Sequence, residues 1–159
     1  MPETVKQGST GAAVREAQYL LARDRYLVAV GIDGIFGPHT DTAVRQFQHD
    51  GGLGVDGIVG PQTWGKLLAD HAFPPPTLAV GSTGSVVQRL QQFLNVARSE
   101  FDPGAAALVV DGDYGPKTKA MVAAFQGWGG VAADGIVGLQ TWAVSLHAAG
   151  QELADQVGV

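Results

Sequence analysis

One octapeptide occurs four times in 159 residues: DGIFGPHT at 33–40, DGIVGPQT at 56–63, DGDYGPKT at 111–118 and DGIVGLQT at 134–141. Its spacing constrains the fold more than any bulk property. Asp33 to Asp56 is 23 residues, as is Asp111 to Asp134, and the first pair precedes the second by 78. The chain is therefore a duplication whose halves each hold two phrases. Upstream, GSTGAAVREAQYLL from Gly8 matches GSTGSVVQRLQQFL from Gly81 at an offset of 73. Five extra residues thus lie between Leu94 and Asp111, and they are expected to enlarge a loop. Between the halves runs AFPPPT, whose three prolines cannot continue a helix and favour a stiff spacer. The expected division is 1–72 and 77–159 about a proline linker at 73–76, with a short C-terminal extension on the second half.

Each phrase has the chemistry of a helix start. Gly37, Gly60, Gly115 and Gly138 stand where an N-cap belongs, and proline follows in three of the four, where a missing N–H costs nothing. The preceding Asp-Gly pair suits an Asx-type turn, the glycine accepting positive φ. Phe36, Val59, Tyr114 and Val137 can tuck beneath the helix that follows. Helical stripes flank the phrases. Val14, Ala17, Gln18 and Leu21 match Val87, Leu90, Gln91 and Leu94, and Thr40, Ala43, Val44 and Phe47 match Thr118, Met121, Val122 and Phe125. A shorter third helix starts at Pro61 and at Leu139, with Trp64, Leu67 and Leu68 against Trp142 and Leu146. Gly51-Gly52 and Gly129-Gly130 end the second helix.

The fold expected is all-α, two tandem three-helix bundles. A half this small buries only about 60% of its unfolded surface, so Trp64 and Trp142 are expected as core anchors. Gln18, Gln48, Gln91 and Gln126 are expected as buried amides that satisfy loop backbone groups. Leu153 and Val157, four apart, suit a docking helix, but a frayed tail is the expectation for the C-terminus.

With these blocks assembled, each half resembles the three-helix peptidoglycan-binding domain found on bacterial and phage cell-wall hydrolases. The carrying residues are GSTGAAVREAQYLL, DGIFGPHTDTAVRQFQ and GVDGIVGPQTW, then GSTGSVVQRLQQFL, DGDYGPKTKAMVAAFQ and AADGIVGLQTW. Leu139 departs from the usual proline. The resemblance implies non-catalytic attachment to peptidoglycan, as a bivalent anchor or targeting module, with a protein cargo or wall hydrolase as a further partner. The alternative is an assembly protein of a phage particle or secretion machine that reuses the fold without wall binding.

Other functions find little support. A net charge of −5 argues against non-specific nucleic-acid or anionic-membrane binding. Without cysteine there is no thiolate metal site or cysteine nucleophile. None of the four glutamates is matched between the halves, so no carboxylate pair for glycoside hydrolysis recurs. His39, His49, His71 and His147 form no metal-ligand motif, and each is expected at the surface. Asp111 and Asp113 lack further oxygen ligands at EF-hand spacing. No enzyme, metal or cofactor is expected. MPETVKQGST has no basic and apolar leader. The expectation is cytoplasmic synthesis with release by lysis or another machine, or a leader already removed, and action at the cell wall or outside the cell.

The candidate ligand contacts come from comparing the halves. On the outer face of the second helix Asp41, Arg45, Gln46, His49 and Asp50 align with Lys119, Ala123, Ala124, Gly127 and Trp128. Loss of polarity and gain of a tryptophan suggest a surface covered by the other half or by a ligand. Trp128 leads the set, Tyr114 and Lys117 follow, and Arg45 and Gln62 are the polar candidates of the first half.

Overall fold

A computed structural model describes residues 2–146 and 151–159. The chain divides into two compact units, Met1–Pro74 and Pro75–Val159. The first holds α1 (Ala12–Arg23), a 3-10 turn (Ala29–Gly31), α2 (Pro38–Asp50) and α3 (Pro61–Leu67). The second holds α4 (Ser85–Phe101), α5 (Pro116–Trp128), α6 (Leu139–Trp142), a two-residue antiparallel pair of β1 (Ser145–Leu146) with β2 (Gln151–Glu152), and α7 (Leu153–Val157). The fold is all-α, a repeated helical domain in two copies.

The stripes read from spacing are the buried faces. Val14, Ala17, Gln18 and Leu21 of α1 are buried, as are Val87, Leu90, Gln91 and Leu94 of α4. Thr40, Ala43, Val44 and Phe47 of α2 and their four counterparts on α5 are buried too. Gly37, Gly60, Gly115 and Gly138 are the N-caps of α2, α3, α5 and α6. Phe36, Val59, Tyr114 and Val137 lie beneath those helix starts, none more than 2% exposed. Trp64 and Trp142 are both fully buried. The indole N–H of Trp64 donates to the Glu3 carbonyl (3.0 Å), and that of Trp142 to the Pro76 carbonyl (2.8 Å). Each tryptophan thus ties the third helix of its unit to the segment that opens the unit. Isolated bridges repeat the same closure, pairing Val5 with Val59 and Leu78 with Val137.

Four expectations are corrected. The five extra residues do not enlarge a loop: α4 has 17 residues where α1 has 12. The longer helix pays off in packing, because Phe101 at its end meets the Phe125 ring at 5.5 Å. The third helix of the second unit stops at Trp142, and Leu146 lies in β1 rather than on a helical stripe. The C-terminus is a packed helix rather than a frayed tail. Leu153, Ala154 and Val157 are at most 1% exposed, and α7 packs on α4. Arg89 of α4 donates from Nε to the Val157 carbonyl (2.6 Å), holding the end of α7. Apolar burial of the α7 stripe thus takes up the role a longer α6 would have had. His71 is not a surface residue, with its side chain 14% exposed and Nε2 2.7 Å from Asp24 Oδ1. His39 and His49 are exposed, and His147 lies outside the described residues.

Truncating Leu153 removes the fully buried anchor of α7. Leu153→Ala is expected to destabilise the second unit by about 2 kcal/mol, the lower end for buried leucines because a terminal helix can readjust. Urea unfolding read at second-unit amides checks this; an unchanged midpoint would mean α7 adds nothing to the core.

Candidate functional site

The phrase DG-x-x-G-x-x-T is held in each of its four places by one glutamine from the helix before it. In the first, Gln18 Nε2 donates to Asp33 Oδ1 (2.9 Å), the Ile35 carbonyl (3.1 Å) and Thr40 Oγ1 (3.0 Å), sharing two hydrogens among three acceptors. Its Oε1 accepts from the Gly34 N–H (2.8 Å), and Asp33 Oδ1 accepts from the Ile35 N–H (2.8 Å). Gln48 does the same for Asp56, Gly57, Ile58 and Thr63. Gln91 serves Asp111, Gly112, Asp113 and Thr118, and Gln126 serves Asp134, Gly135, Ile136 and Thr141. All four glutamines are buried, as the sequence led us to expect. The glycine after each aspartate has φ between 72° and 77°, the left-handed conformation that disfavours any side chain. This clasp is structural: the glutamine amide and Oδ1 of each aspartate are engaged within it.

The clasp also shifts the aspartates. For Asp33, burial pushes the carboxyl up, but hydrogen bonds from the Ile35 N–H and the Gln18 amide outweigh it and hold the carboxyl below its ordinary 3.8. Asp56 and Asp111 are likewise lowered, first by the N–H groups of Ile58 and Asp113, then by Gln48 and Gln91. A carboxyl lowered in the folded state stabilises above its unfolded value, and that contribution is lost as pH falls through the folded value. The melting temperature is therefore expected to be flat from pH 7 to 5 and to drop below about pH 4. Asp33→Asn and Asp56→Asn together should flatten that acid limb in thermal melts. An equally steep limb in the double variant would contradict the assignment.

An open groove of about 890 Å³ lies in the first unit between the 25–31 segment and the start of α2. Arg25, Val28, Val30, Ile35, His39 and Gln46 are among its lining residues. Val28, Val30 and Ile35 are 69%, 60% and 58% exposed. Tyr26, also lining, is fixed from behind: its ring meets Phe47 edge-on at 5.6 Å and its hydroxyl donates to Asp50 Oδ2 (2.8 Å). That bond raises the Tyr26 pKa and lowers that of Asp50.

The candidate contacts read from sequence fall elsewhere. Arg45 is half-exposed and pairs with Asp41, Nε to Oδ2 at 2.9 Å, on the face of α2 toward Gly57. Gln62 is exposed on α3. Neither lines the groove. Lys117 is exposed at the start of α5, where it is the counterpart of the groove residue His39. Trp128 is half-buried at the other end of that helix, stacked on Phe125 at 5.9 Å. Eleven helical residues separate Lys117 from Trp128, about 16 Å along the axis, so the two do not converge. Tyr114 is corrected: it is 2% exposed and its hydroxyl donates to the Gly135 carbonyl (2.6 Å), so burial makes it a core residue instead of a ligand contact. The groove was missed because its walls are ordinary valines in YLVAVG. The signal available was an arginine, Arg25, at a helix end where α2 and α5 carry glycine.

Among the described residues no group of three or more His, Cys, Asp or Glu could hold a metal ion, and no helix is long and apolar enough to cross a membrane.

The family model described as "Putative peptidoglycan binding domain" matches residues 10–67 and 83–144, more than half of the chain. The chain belongs to this peptidoglycan-binding domain family, in two tandem copies. A zinc D-Ala-D-Ala carboxypeptidase of Streptomyces albus G is 48% identical over 67 residues, 42% of this chain and 24% of that protein. An N-acetylmuramoyl-L-alanine amidase, CwlL, of Bacillus licheniformis is 34% identical over 156 residues, 86% of this chain and 43% of that protein. The chain thus spans less than half the length of these two relatives. Among solved structures, a peptidoglycan-binding protein from Clostridioides difficile is 45% identical with a TM-score of 0.39, covering 41% of this chain and 40% of that one.

Proposed function

We propose that this chain binds bacterial cell-wall peptidoglycan without catalysing its cleavage, and acts at the wall as a bivalent anchor or targeting module. The observation that carries the reading is that both copies of the family domain are complete. Each has its two glutamine clasps closed and its tryptophan anchor buried. Two copies on one chain make the second contact intramolecular, so weak sites combine into useful avidity. The relatives support the targeting role, since a carboxypeptidase and an amidase share this part while extending well beyond it. A protein cargo of that kind is the partner the reading implies. The exposed Arg45 and Gln62 in the first unit, and Lys117 with half-buried Trp128 in the second, remain the proposed contacts outside the groove.

The test uses dye-labelled sacculi. The expected result is decoration of the sacculi by the fluorescently tagged chain with no dye released into solution. Release of dye would overturn the non-catalytic part. Absence of decoration would favour an assembly role that reuses the fold.

A further inference from the structure

We propose that the groove of the first unit is the site that grips the wall polymer, that its ligand is the carboxylate-bearing stem peptide rather than the glycan, and that Arg25 receives the carboxylate. This rests on the wall-binding reading above and names the part of the polymer recognised.

The argument begins with a backbone comparison inside the chain. Helix α2 ends with Gly52 at φ 69°, its N–H donating to the His49 carbonyl and that of Leu53 to the Gln48 carbonyl. Helix α5 ends in the same way with Gly130 at φ 76°, bonded to Gly127, and Val131 bonded to Gln126. Helix α1 makes the identical pair of bonds, Arg25 N–H to the Ala22 carbonyl (2.9 Å) and Tyr26 N–H to the Leu21 carbonyl (2.8 Å). Here the left-handed position, φ 67°, is taken by arginine, the one non-glycine with positive φ among the described residues. Glycine is the residue this helix ending favours, because a Cβ is strained there. The arginine is therefore unfavourable for the fold at this point, and strain of this kind collects at functional sites. Its side chain is exposed and lines the groove.

The rest of the lining selects the occupant. The exposed walls are aliphatic, Val28, Val30 and Ile35, suited to the methyl groups of alanines. Thr42 and Gln46 on α2 offer hydroxyl and amide groups to a peptide backbone. The acidic lining residue, Asp33, already has its Oδ1 engaged by the Ile35 N–H and Gln18. The aromatic lining residue, Tyr26, is held edge-on to Phe47 with its hydroxyl on Asp50, so the exposed wall is not a flat aromatic plate for a sugar ring. Because the chain carries a net charge of −5, an anionic ligand must be held by a local cation, and a guanidinium matches a carboxylate in two parallel hydrogen bonds. In the second unit the loop counterpart of Arg25 is Pro103, and Thr42 and Gln46 become Ala120 and Ala124, so this peptide site belongs to the first unit.

The test is sedimentation of the full chain with insoluble peptidoglycan, for the parent, Arg25→Gly and Arg25→Asn, each paired with a thermal melt. Arg25→Gly is expected to raise the first unit's melting temperature by about 4 °C while weakening wall binding about tenfold. Arg25→Asn, which also tolerates the left-handed position, should bind as weakly as the glycine variant. A soluble tetrapeptide, L-Ala-D-Glu-L-Lys-D-Ala, should displace the parent, and chito-oligosaccharide should not. If the parent pellets and both variants pellet equally well, the groove assignment is wrong while wall binding stands. If chito-oligosaccharide competes and the peptide does not, the ligand class is wrong. If the parent pellets with no wall preparation, wall binding and this inference fail together.

Discussion

Trp64→Ala is expected to unfold the first unit and leave the second folded. The indole is fully buried at the centre of a unit of some seventy residues, and its N–H closes the unit on the Glu3 carbonyl. Truncating a buried tryptophan costs about 3–5 kcal/mol through lost burial and the cavity left behind. A domain of this size has total stability at the low end of roughly 5–15 kcal/mol, so the loss leaves little or nothing. Amide spectra at 25 °C check it: peaks from the first unit should collapse to unfolded positions while those of the second keep their dispersion. Loss of both sets together would show that the units depend on each other for folding.

Gln18→Ala is expected to destabilise the first unit by about 3 kcal/mol, a large effect for removal of a polar side chain. The amide serves a buried N–H on Gly34, the Ile35 carbonyl and the Thr40 hydroxyl, and it also restrains Asp33. Alanine would leave several of these groups buried without partners, each at about 1–3 kcal/mol before relaxation. Gln18→Glu should be no better at neutral pH, since it removes the two donors and sets a second carboxylate against Asp33. The control is Gln62→Ala, exposed on α3, expected within about 0.5 kcal/mol of the parent. Guanidinium unfolding measures all three; similar midpoints for Gln18→Ala and Gln62→Ala would refute the clasp as a source of stability.

The sequence disclosed the fold well because its strongest signal is local and periodic. A phrase repeated at 23 and 78 residues places four helix starts, and apolar spacing places the faces they bury. The buried glutamines were also legible, since an amide recurring on an apolar stripe in both halves needs polar partners. Placement of the five extra residues was not legible, because insertion into a helix and into a loop leave the same offset. The α7 helix was hidden by its length: five residues have no stable helix alone, and only burial of Leu153 and Val157 on the core fixes them. Tyr114 shows how one residue type misleads. A tyrosine in a loop can stack on a ligand or bury its ring and satisfy its hydroxyl, and the Gly135 carbonyl that decides it lies 21 residues away. The groove escaped notice because its exposed walls are ordinary aliphatic residues, Val28, Val30 and Ile35, and its one cue was Arg25 at a helix end where α2 and α5 carry glycine.

The central claim is that the tandem domain binds wall polymer, and a sedimentation series tests it most directly. Purified chain at fixed concentration would be spun with increasing insoluble peptidoglycan, with chitin and cellulose run alongside. Wall binding predicts that the chain moves into the peptidoglycan pellet in a saturable way and stays soluble with both controls. A chain left in the supernatant at every peptidoglycan concentration, or one that pellets equally with all three polymers, would contradict it.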